Sequence, residues 1–194
     1  METKNQIITA AYEMFQERGY DNVTVNDICQ RCNITKPTFY RYIESKDQLL
    51  AYFYENIAAE ITEQFMKMLA ADNYWEQFCM GFDTILQHSR RFGADLYSHL
   101  FISNLREPKG TFDFDDMLTQ AMTSVLSKAQ QHGQVRNGND PGELYMACAN
   151  MCFGYGILWC LNRGKNDLLR DFRIALENVC DVEEAYRMER LQSI

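Results

Sequence analysis

The segment from residue 24 to residue 50, TVNDICQRCNITKPTFYRYIESKDQLL, constrains the fold of this 194-residue chain more than any other. Thr24 is a candidate N-cap for a short helix, because its side-chain oxygen can accept from a free backbone N–H group. Asn33 follows where a helix end favours left-handed backbone, which Asn tolerates better than most residues. The predicted apolar face of this helix consists of Val25, Ile28, Cys29 and Cys32.

A second helix is predicted to begin at Lys36, directly after this turn. Thr35 is its candidate N-cap, and Pro37 lies in its first turn, where the missing N–H donor costs little. Phe39 and Ile43 are expected to face the supporting helices. The N-terminal half of such a helix commonly meets the bases in a DNA groove. The side chains predicted to project outward from that half are Lys36, Thr38, Tyr40 and Arg41.

The stretch from Ile7 to Leu50 resembles the N-terminal domain of the tetracycline-repressor (TetR) family of bacterial regulators. The first part, IITAAYEMFQERGYDNVTV, has the family's AA-x-x-x-F pattern, its Gly19-Tyr20 stop and its Thr-Val restart. The second part, DICQRCNIT, matches the supporting helix. The third part, TKPTFYRYIESKDQLL, has an aromatic pair and a Ser-Lys-Asp sequence before Leu-Leu. The resemblance implies an all-α fold, with a helix-turn-helix DNA-binding domain over residues 1–50 and a ligand-binding and dimerisation domain over residues 51–194.

The resemblance also implies a role for each position that matches the family motif. Thr24, Tyr42 and Lys46 would hold phosphates, since helix N-termini and cations favour anions. The outward side chains of the second helix would read bases in the major groove. Two alternatives remain open: Tyr40 and Tyr42 could pack the small domain, and Lys46 could be a solvated charge. The predicted DNA-binding residues are Thr24, Thr35, Lys36, Pro37, Thr38, Tyr40, Arg41, Tyr42 and Lys46.

Four departures from the family pattern bear on these roles. Cysteines replace the usual alanines at positions 29 and 32, and Asn33 replaces a usual glycine. Pro37 replaces a common glycine and removes a backbone donor beside the predicted bases, so an amide contact at that point is in doubt. We therefore expect the preferred DNA sequence to differ from that of relatives with glycine there.

The net charge of −8 is unusual for a DNA-binding protein. Residues 1–50 have six Lys or Arg against seven Asp or Glu, whereas the remainder has 13 against 20. The acidity therefore lies mainly in the C-terminal part. DNA binding must depend on the orientation of a few basic side chains, and we expect the affinity for DNA to be sensitive to salt.

Helical periodicity continues past the DNA-binding segment. Residues 45–71 predict one long helix of roughly 40 Å, which would couple the two domains. About five further helices fit between breaks at Ala71–Asn73, Arg106–Thr111, His132–Gly142 and Asn162–Asn166. No strand pattern of useful length is present, so the predicted fold class is all-α.

The last two predicted helices, 141–162 and 167–190, are adjacent and joined by a short turn, so they should pair antiparallel. The family resemblance implies that this pair packs against its copy in a homodimer. A two-fold dimer would present recognition helices to half-sites roughly 34 to 36 Å apart in a palindromic operator. The apolar run Leu144–Leu161 has an alternative interpretation as a membrane span, but a buried helix explains it without an anchor. With no cleavable leader preceding the first helix, a cytoplasmic protein without a membrane partner is expected.

Bulky side chains between these regions could enclose a cavity for a small apolar or aromatic effector, as the family resemblance implies. Ordinary core packing explains the same aromatic and methionine stripes. The predicted lining residues are Phe65, Cys79, Phe82, Tyr97, Phe101, Met117, Phe153 and Trp159.

The remaining chemistry of the chain predicts no metal, cofactor or catalytic site. Cys29 and Cys32 form a C-x-x-C pair without a third ligand nearby, while Cys148 and Cys152 lie one turn apart on an intact helix. Redox sensing is an alternative to structural roles for these thiols. The three histidines are scattered, and the sequence contains no phosphate loop or nucleophile elbow. The sequence thus predicts a ligand-responsive repressor, and the alternative is a DNA-bound protein that recruits a protein partner and binds no ligand.

Overall fold

The computed structural model describes residues 2–53, 73–108, 110–112 and 116–188. These residues form helices joined by turns, with one isolated bridge between Val135 and Val182, so the predicted all-α fold is confirmed. In chain order the helices are α1 (Glu2–Arg18), α2 (Val25–Arg31), α3 (Lys36–Tyr42), α4 (residues 46–53), α5 (Tyr74–Phe92), α6 (Ala94–Arg106), α7 (Asp116–Gln131), α8 (Pro141–Leu161) and α9 (Leu168–Val179).

The chain divides into two compact units. The first lies within Met1–Glu60 and Phe92–Phe112, and the second within Ile61–Arg91 and Asp113–Ile194. The segment that begins at Phe92 joins the first unit through hydrogen bonds to the end of α1, such as the one from Gln16 Nε2 to the carbonyl of Phe92 at 2.9 Å. The predicted domain boundary at residue 50 stays a prediction.

The core of the first unit forms where α1, α2, α3 and α4 meet. Gly19 ends α1 with φ at 81°, a left-handed conformation in which only glycine avoids strain, and its N–H group donates to the carbonyl of Phe15 at 2.9 Å. Asn33 has φ at 52° between α2 and α3, as predicted. The buried apolar side chains include Ile7, Ala11, Phe15, Ile28, Phe39, Ile43, Leu49 and Leu50.

The long helix predicted from residue 45 begins at residue 46 in the structure. Ser45 is its cap instead, since Ser45 Oγ accepts from the N–H group of Gln48 at 3.1 Å. The remainder of that prediction, residues 54–71, lies outside the described residues. The coupling role of this helix stays a prediction.

The second unit is built on α7, α8 and α9. Asp140 caps α8 by accepting from the N–H groups of Gly142 at 2.9 Å and Glu143 at 3.0 Å. Among the described helices, only α8 is long and apolar enough to cross a membrane, and the core helix of a soluble protein passes the same test. The residues that α8 buries are Leu144, Tyr145, Cys148, Ala149, Cys152, Gly156 and Trp159.

The last helix is shorter than the predicted 167–190, because α9 ends at Val179. Asp181 takes a left-handed φ of 46°, and the N–H group of Val182 turns back to the carbonyl of Glu177 at 3.0 Å. Val182 is fully buried, and the residues on either side of it pair with the connection before α8, as in the bond from Arg136 N–H to the carbonyl of Asp181 at 3.0 Å. Burial of Val182 and this pairing outweigh the helical periodicity that continues in the sequence.

Candidate nucleic-acid interface

The start of α2 is fixed by a reciprocal pair of hydrogen bonds. Thr24 Oγ1 accepts from the N–H group of Asp27 at 3.2 Å, and the N–H group of Thr24 donates to Asp27 Oδ2 at 2.7 Å. The hydroxyl of Thr24 also donates to Asp27 Oδ2 at 2.5 Å, and this bond, followed by the one from the Thr24 N–H group, lowers the pKa of the Asp27 carboxyl. The capping role predicted for Thr24 is confirmed, and its exposed side chain lies at a helix N-terminus, where an anion is favoured.

The recognition helix α3 is held in the same way and begins at Lys36, as predicted. Thr35 Oγ1 accepts from the N–H group of Thr38 at 3.3 Å and lies 3.0 Å from Thr38 Oγ1. Phe39 is fully buried and fixes the helix on the core of the first unit. Pro37 lies in the first turn, where no backbone donor is lost to the helix. The position and rotation of α3 are thus set by the cap and by one buried ring.

The surface of α3 carries most of the residues predicted to contact DNA. Tyr40 is 52% exposed. Arg41 is exposed and Tyr42 half-buried, and the guanidinium of Arg41 lies 5.0 Å from the centre of the Tyr42 ring, with Nη2 at 3.4 Å from Tyr42 Oη. Thr38 is half-buried. The structure therefore brings together two cations, three hydroxyl groups and a proline on one short helix: Lys36, Pro37, Thr38, Tyr40, Arg41 and Tyr42.

Lys46 is directed toward the first unit itself. Its ammonium donates to the carbonyl of Tyr20 and lies 3.8 Å from the centre of the Tyr20 ring. Burial lowers the pKa of Lys46. One of the three donors of the ammonium is thus occupied, and the predicted contact of Lys46 with a phosphate stays a prediction.

The turn between α1 and α2 is held by residues from two later helices, which sequence reasoning did not assign to the site. The hydroxyl of Tyr20 donates to Asp47, and its backbone N–H group donates to Asp95 Oδ2 at 3.1 Å. The ring of His99 lies 4.4 Å from that of Tyr20, between Asp21 at 3.6 Å and Asp95 at 3.7 Å. Burial, followed by the hydrogen bond to Asp47, raises the pKa of Tyr20. We name Tyr20, Asp47, Asp95 and His99 the Tyr20 corner.

The cysteines of α2 lie in the core. Cys29 and Cys32 are buried, and burial raises the pKa of both thiols. Within the part of the chain that the structure describes, no group of three His, Cys, Asp or Glu side chains is placed to hold a metal ion. Cys148 lies against Cys180 on the end of α9, with the two Sγ atoms 3.8 Å apart, a pair that the sequence spacing did not indicate.

The residues predicted to line an effector cavity are divided between the two units. Tyr97 and Phe101 lie in the first unit, with ring centres 4.7 Å apart, and Phe101 stacks on Phe112 at 4.6 Å. Met117 is 72% exposed, which does not support a place in an enclosed cavity. Phe65 lies outside the described residues. The effector roles stay predictions. In the second unit the remaining candidates are buried or half-buried: Cys79, Phe82, Phe153 and Trp159.

Residues 7–53 match the family model of bacterial regulatory proteins, tetR family. The chain is 34% identical over 59 residues to the HTH-type dhaKLM operon transcriptional activator DhaS of Lactococcus lactis, which covers 30% of this chain and only 32% of DhaS. It is 36% identical over 142 residues to the biofilm operon icaADBC HTH-type negative transcriptional regulator IcaR of Staphylococcus epidermidis, covering 69% of this chain and 63% of IcaR. The chain thus spans about a third of the length of DhaS and just under two thirds of the length of IcaR.

The whole fold is shared with a solved repressor. FadR of Thermus thermophilus is a TetR family transcriptional repressor that was crystallised with lauroyl-CoA. Its structure aligns over 98% of this chain and 98% of its own chain, with a TM-score of 0.68 and 18% sequence identity. The shared fold extends over the C-terminal helices, and the family motif is centred on α2 and α3. Residues 7–53 therefore form a domain of the tetR family of bacterial regulatory proteins, and the chain as a whole shares its fold with a TetR family repressor.

Proposed function

We propose that this protein is a cytoplasmic, homodimeric transcriptional repressor that binds a palindromic operator and is released from it by a small molecule. The observation that carries this proposal is the surface of α3, where cationic and hydroxyl side chains stand outward from a helix fixed by the buried ring of Phe39. IcaR, the relative with the longer match, is a negative regulator, whereas DhaS is an activator. The longer match favours repression.

The side chains of α3 suit a major groove. Lys36 and Arg41 can donate to the O6 and N7 atoms of guanine, while Thr38 and Tyr40 can contact a thymine methyl group. Tyr42 can donate to a phosphate, and the Thr24 hydroxyl can do so if it turns away from Asp27 Oδ2, to which it donates here; such contacts set register without reading sequence. Because the proposed contacts depend on a few cations, we expect operator binding to be sensitive to salt and to weaken as the salt concentration rises.

Replacing Arg41 by alanine is expected to relax sequence preference at one base pair of each half-site and to weaken operator binding by about 10- to 100-fold, the usual value of a bidentate contact to guanine. The measurement is selection of bound sequences from a random DNA pool, followed by titration of the selected operator. Lys46→Ala tests the phosphate role in parallel and should weaken all sequences evenly.

The matched control for this experiment is Arg90→Ala, which removes an exposed arginine at the end of α5. It should leave both motif and affinity unchanged. A palindromic motif that is identical for the wild type and for Arg41→Ala would contradict the base-reading role. If folded, dimeric protein selected no motif, the repressor proposal itself would fail.

The proposed dimer interface is formed by α8 and α9. Three large apolar residues at the end of α8 and one at the end of α9 are exposed in the single chain: Ile157, Leu158, Leu161 and Val179. A second copy of the chain would bury them in a four-helix arrangement, which is the arrangement that the family resemblance implies.

Replacing Leu158 by glutamate is expected to shift the protein from dimer to monomer at micromolar concentration, because an unpaired carboxylate would be buried in the interface. Analytical ultracentrifugation measures this shift. Operator affinity should fall at the same time, because a monomer can occupy only one of the two half-sites. Leu105→Glu is the control, since Leu105 on α6 is 83% exposed and lies outside α8 and α9. A Leu158→Glu protein that sediments as the wild type does would rule out this interface.

Release by a small molecule requires a contact through which a change elsewhere in the protein can affect the helix-turn-helix. The Tyr20 corner provides one, because Asp95 and His99 on α6 touch the turn that leads into α2. FadR, which shares the fold, was crystallised with lauroyl-CoA. A ligand that shifts α6 would strain this corner, and operator and ligand would then weaken each other equally, with a coupling of about 1–3 kcal/mol.

A second candidate function is a DNA-bound protein that recruits a protein partner. The observation that favours it is the exposure of large apolar side chains away from α8 and α9, at Leu105 and Met117. This function would leave operator affinity unchanged by any small molecule.

A further inference from the structure

The second unit contains a buried charged cluster that the proposed function does not use. Arg173 on α9 lies 2.6 Å from Glu76 Oε1 and 4.0 Å from Asp83 Oδ2, both on α5. Its Nε atom is 3.5 Å from Oε1 of the fully buried Glu177. The guanidinium also lies 5.4 Å from the centre of the Trp75 ring. One guanidinium thus joins α5 to α9 and touches both an indole and a buried carboxylate.

Three polar atoms of this cluster have no hydrogen-bond partner. They are Trp75 Nε1, Arg173 Nε and Glu177 Oε2, and they make up most of the buried, unpartnered side-chain nitrogen and oxygen atoms in the described part of the chain. Trp75 and Glu177 are both 0% exposed, so solvent does not reach them. Buried polar groups are nearly always hydrogen-bonded, and three unpartnered atoms around one guanidinium point to a bound polar group.

The unpartnered atoms define the chemistry of that group. The indole N–H and the guanidinium Nε–H are donors, and the Glu177 carboxylate is an acceptor. A hydroxyl group can accept two hydrogen bonds and donate one, which matches a set of two donors and one acceptor. An ammonium group can only donate, and an anion would face the carboxylates of Glu76, Asp83 and Glu177. Burial raises the pKa of Asp83, so added negative charge is disfavoured here.

Aromatic rings continue from this cluster into the unit. Trp75 lies 5.9 Å from Phe78, Phe78 lies 5.3 Å from Phe82, and Phe82 lies 5.3 Å from Phe172. An apolar or aromatic body attached to the hydroxyl would meet these rings. We propose that Trp75, Arg173 and Glu177 bind the hydroxyl group of a small neutral alcohol or phenol, an inference that rests on the proposed function and names the chemical class of its effector.

The test observes the Trp75 indole directly. The chain has two tryptophans, so comparison with the Trp159→Phe variant assigns the Trp75 indole N–H signal in the ¹⁵N–¹H spectrum of the full wild-type protein. Phenol, cyclohexanol and toluene are titrated separately without DNA. Phenol or cyclohexanol should shift the Trp75 signal with saturation, and toluene should not. Glu177→Gln should weaken hydroxyl binding at least 10-fold, whereas the exposed control Glu184→Gln should leave it unchanged.

Three outcomes would overturn the proposal. An indole signal that no probe shifts, with magnetisation transfer from water, would mean that a bound water alone occupies the site. Equal shifts with toluene would mean an apolar cavity without a hydroxyl subsite. If Glu177→Gln does not fold, Trp75→Phe replaces it, with phenol binding measured by calorimetry, and unchanged affinity would refute the role of the indole. Since no DNA is present, these results are separate from the operator selection.

Discussion

Replacing Arg173 by alanine is expected to lower the free energy of unfolding by about 3–5 kcal/mol, the usual cost of removing one partner of a buried ion pair. The side chain of Arg173 is only 12% exposed, and Glu177 is fully buried beside it. Loss of the guanidinium leaves that carboxylate without its cation and also separates Glu76 on α5 from α9. Urea unfolding followed by circular dichroism measures the change.

The same helix supplies the control for this measurement. Arg170 is exposed on α9, and Arg170→Ala should change the free energy of unfolding by less than about 0.5 kcal/mol, as for most surface substitutions. An Arg173→Ala protein as stable as Arg170→Ala would show that the charges of the cluster are compensated by solvent. The proposed hydroxyl subsite would then lose its structural basis as well.

Replacing Phe39 by alanine is expected to destabilise the first unit by about 3–5 kcal/mol, the range for removing a buried phenylalanine ring from a core. Phe39 is fully buried and is the central attachment of α3. Operator binding should be lost with it, although no side chain proposed to touch DNA has changed. Differential scanning calorimetry and operator titration give the two readings.

The neighbouring residue provides a matched comparison. Tyr40 packs edge-on against Phe39 at 5.4 Å but is 52% exposed. Tyr40→Ala should therefore cost little stability while it weakens operator binding. If both variants lost DNA binding and stability in the same proportion, Tyr40 would be a packing residue, which is the alternative that the sequence left open.

Much of the helix-turn-helix was predictable because its signals are local. Thr24 and Thr35 each cap a helix by accepting from the N–H group three residues later. Asn33 takes its left-handed conformation in the turn between those two helices. Each of these interactions spans at most a few residues, so the sequence pattern contains both partners. The start of α4 was predicted to within one residue for the same reason.

Contacts between distant residues were not predictable from one sequence. Asp95 binds the backbone of Tyr20 across 75 residues, and Arg173 binds Glu76 across 97. No periodicity relates such pairs, because their proximity depends on how whole helices pack. The pairing of Cys148 with Cys180 was missed for this reason, and the early end of α9 was missed because it depends on pairing with a segment more than 40 residues earlier.

The burial of residues after α9 constrains how the length of this chain can change in evolution. Val182 is buried and pairs with Val135, and the N–H group of Met188 donates to Glu177 at 2.7 Å. A premature stop codon after Cys180 would therefore remove part of the fold's interior rather than a dispensable tail. Insertions between α8 and α9 would disturb less, since Asn162, Arg163 and Lys165 are exposed. Among descendants of this gene, length should vary between α8 and α9 and be held nearly constant just beyond α9.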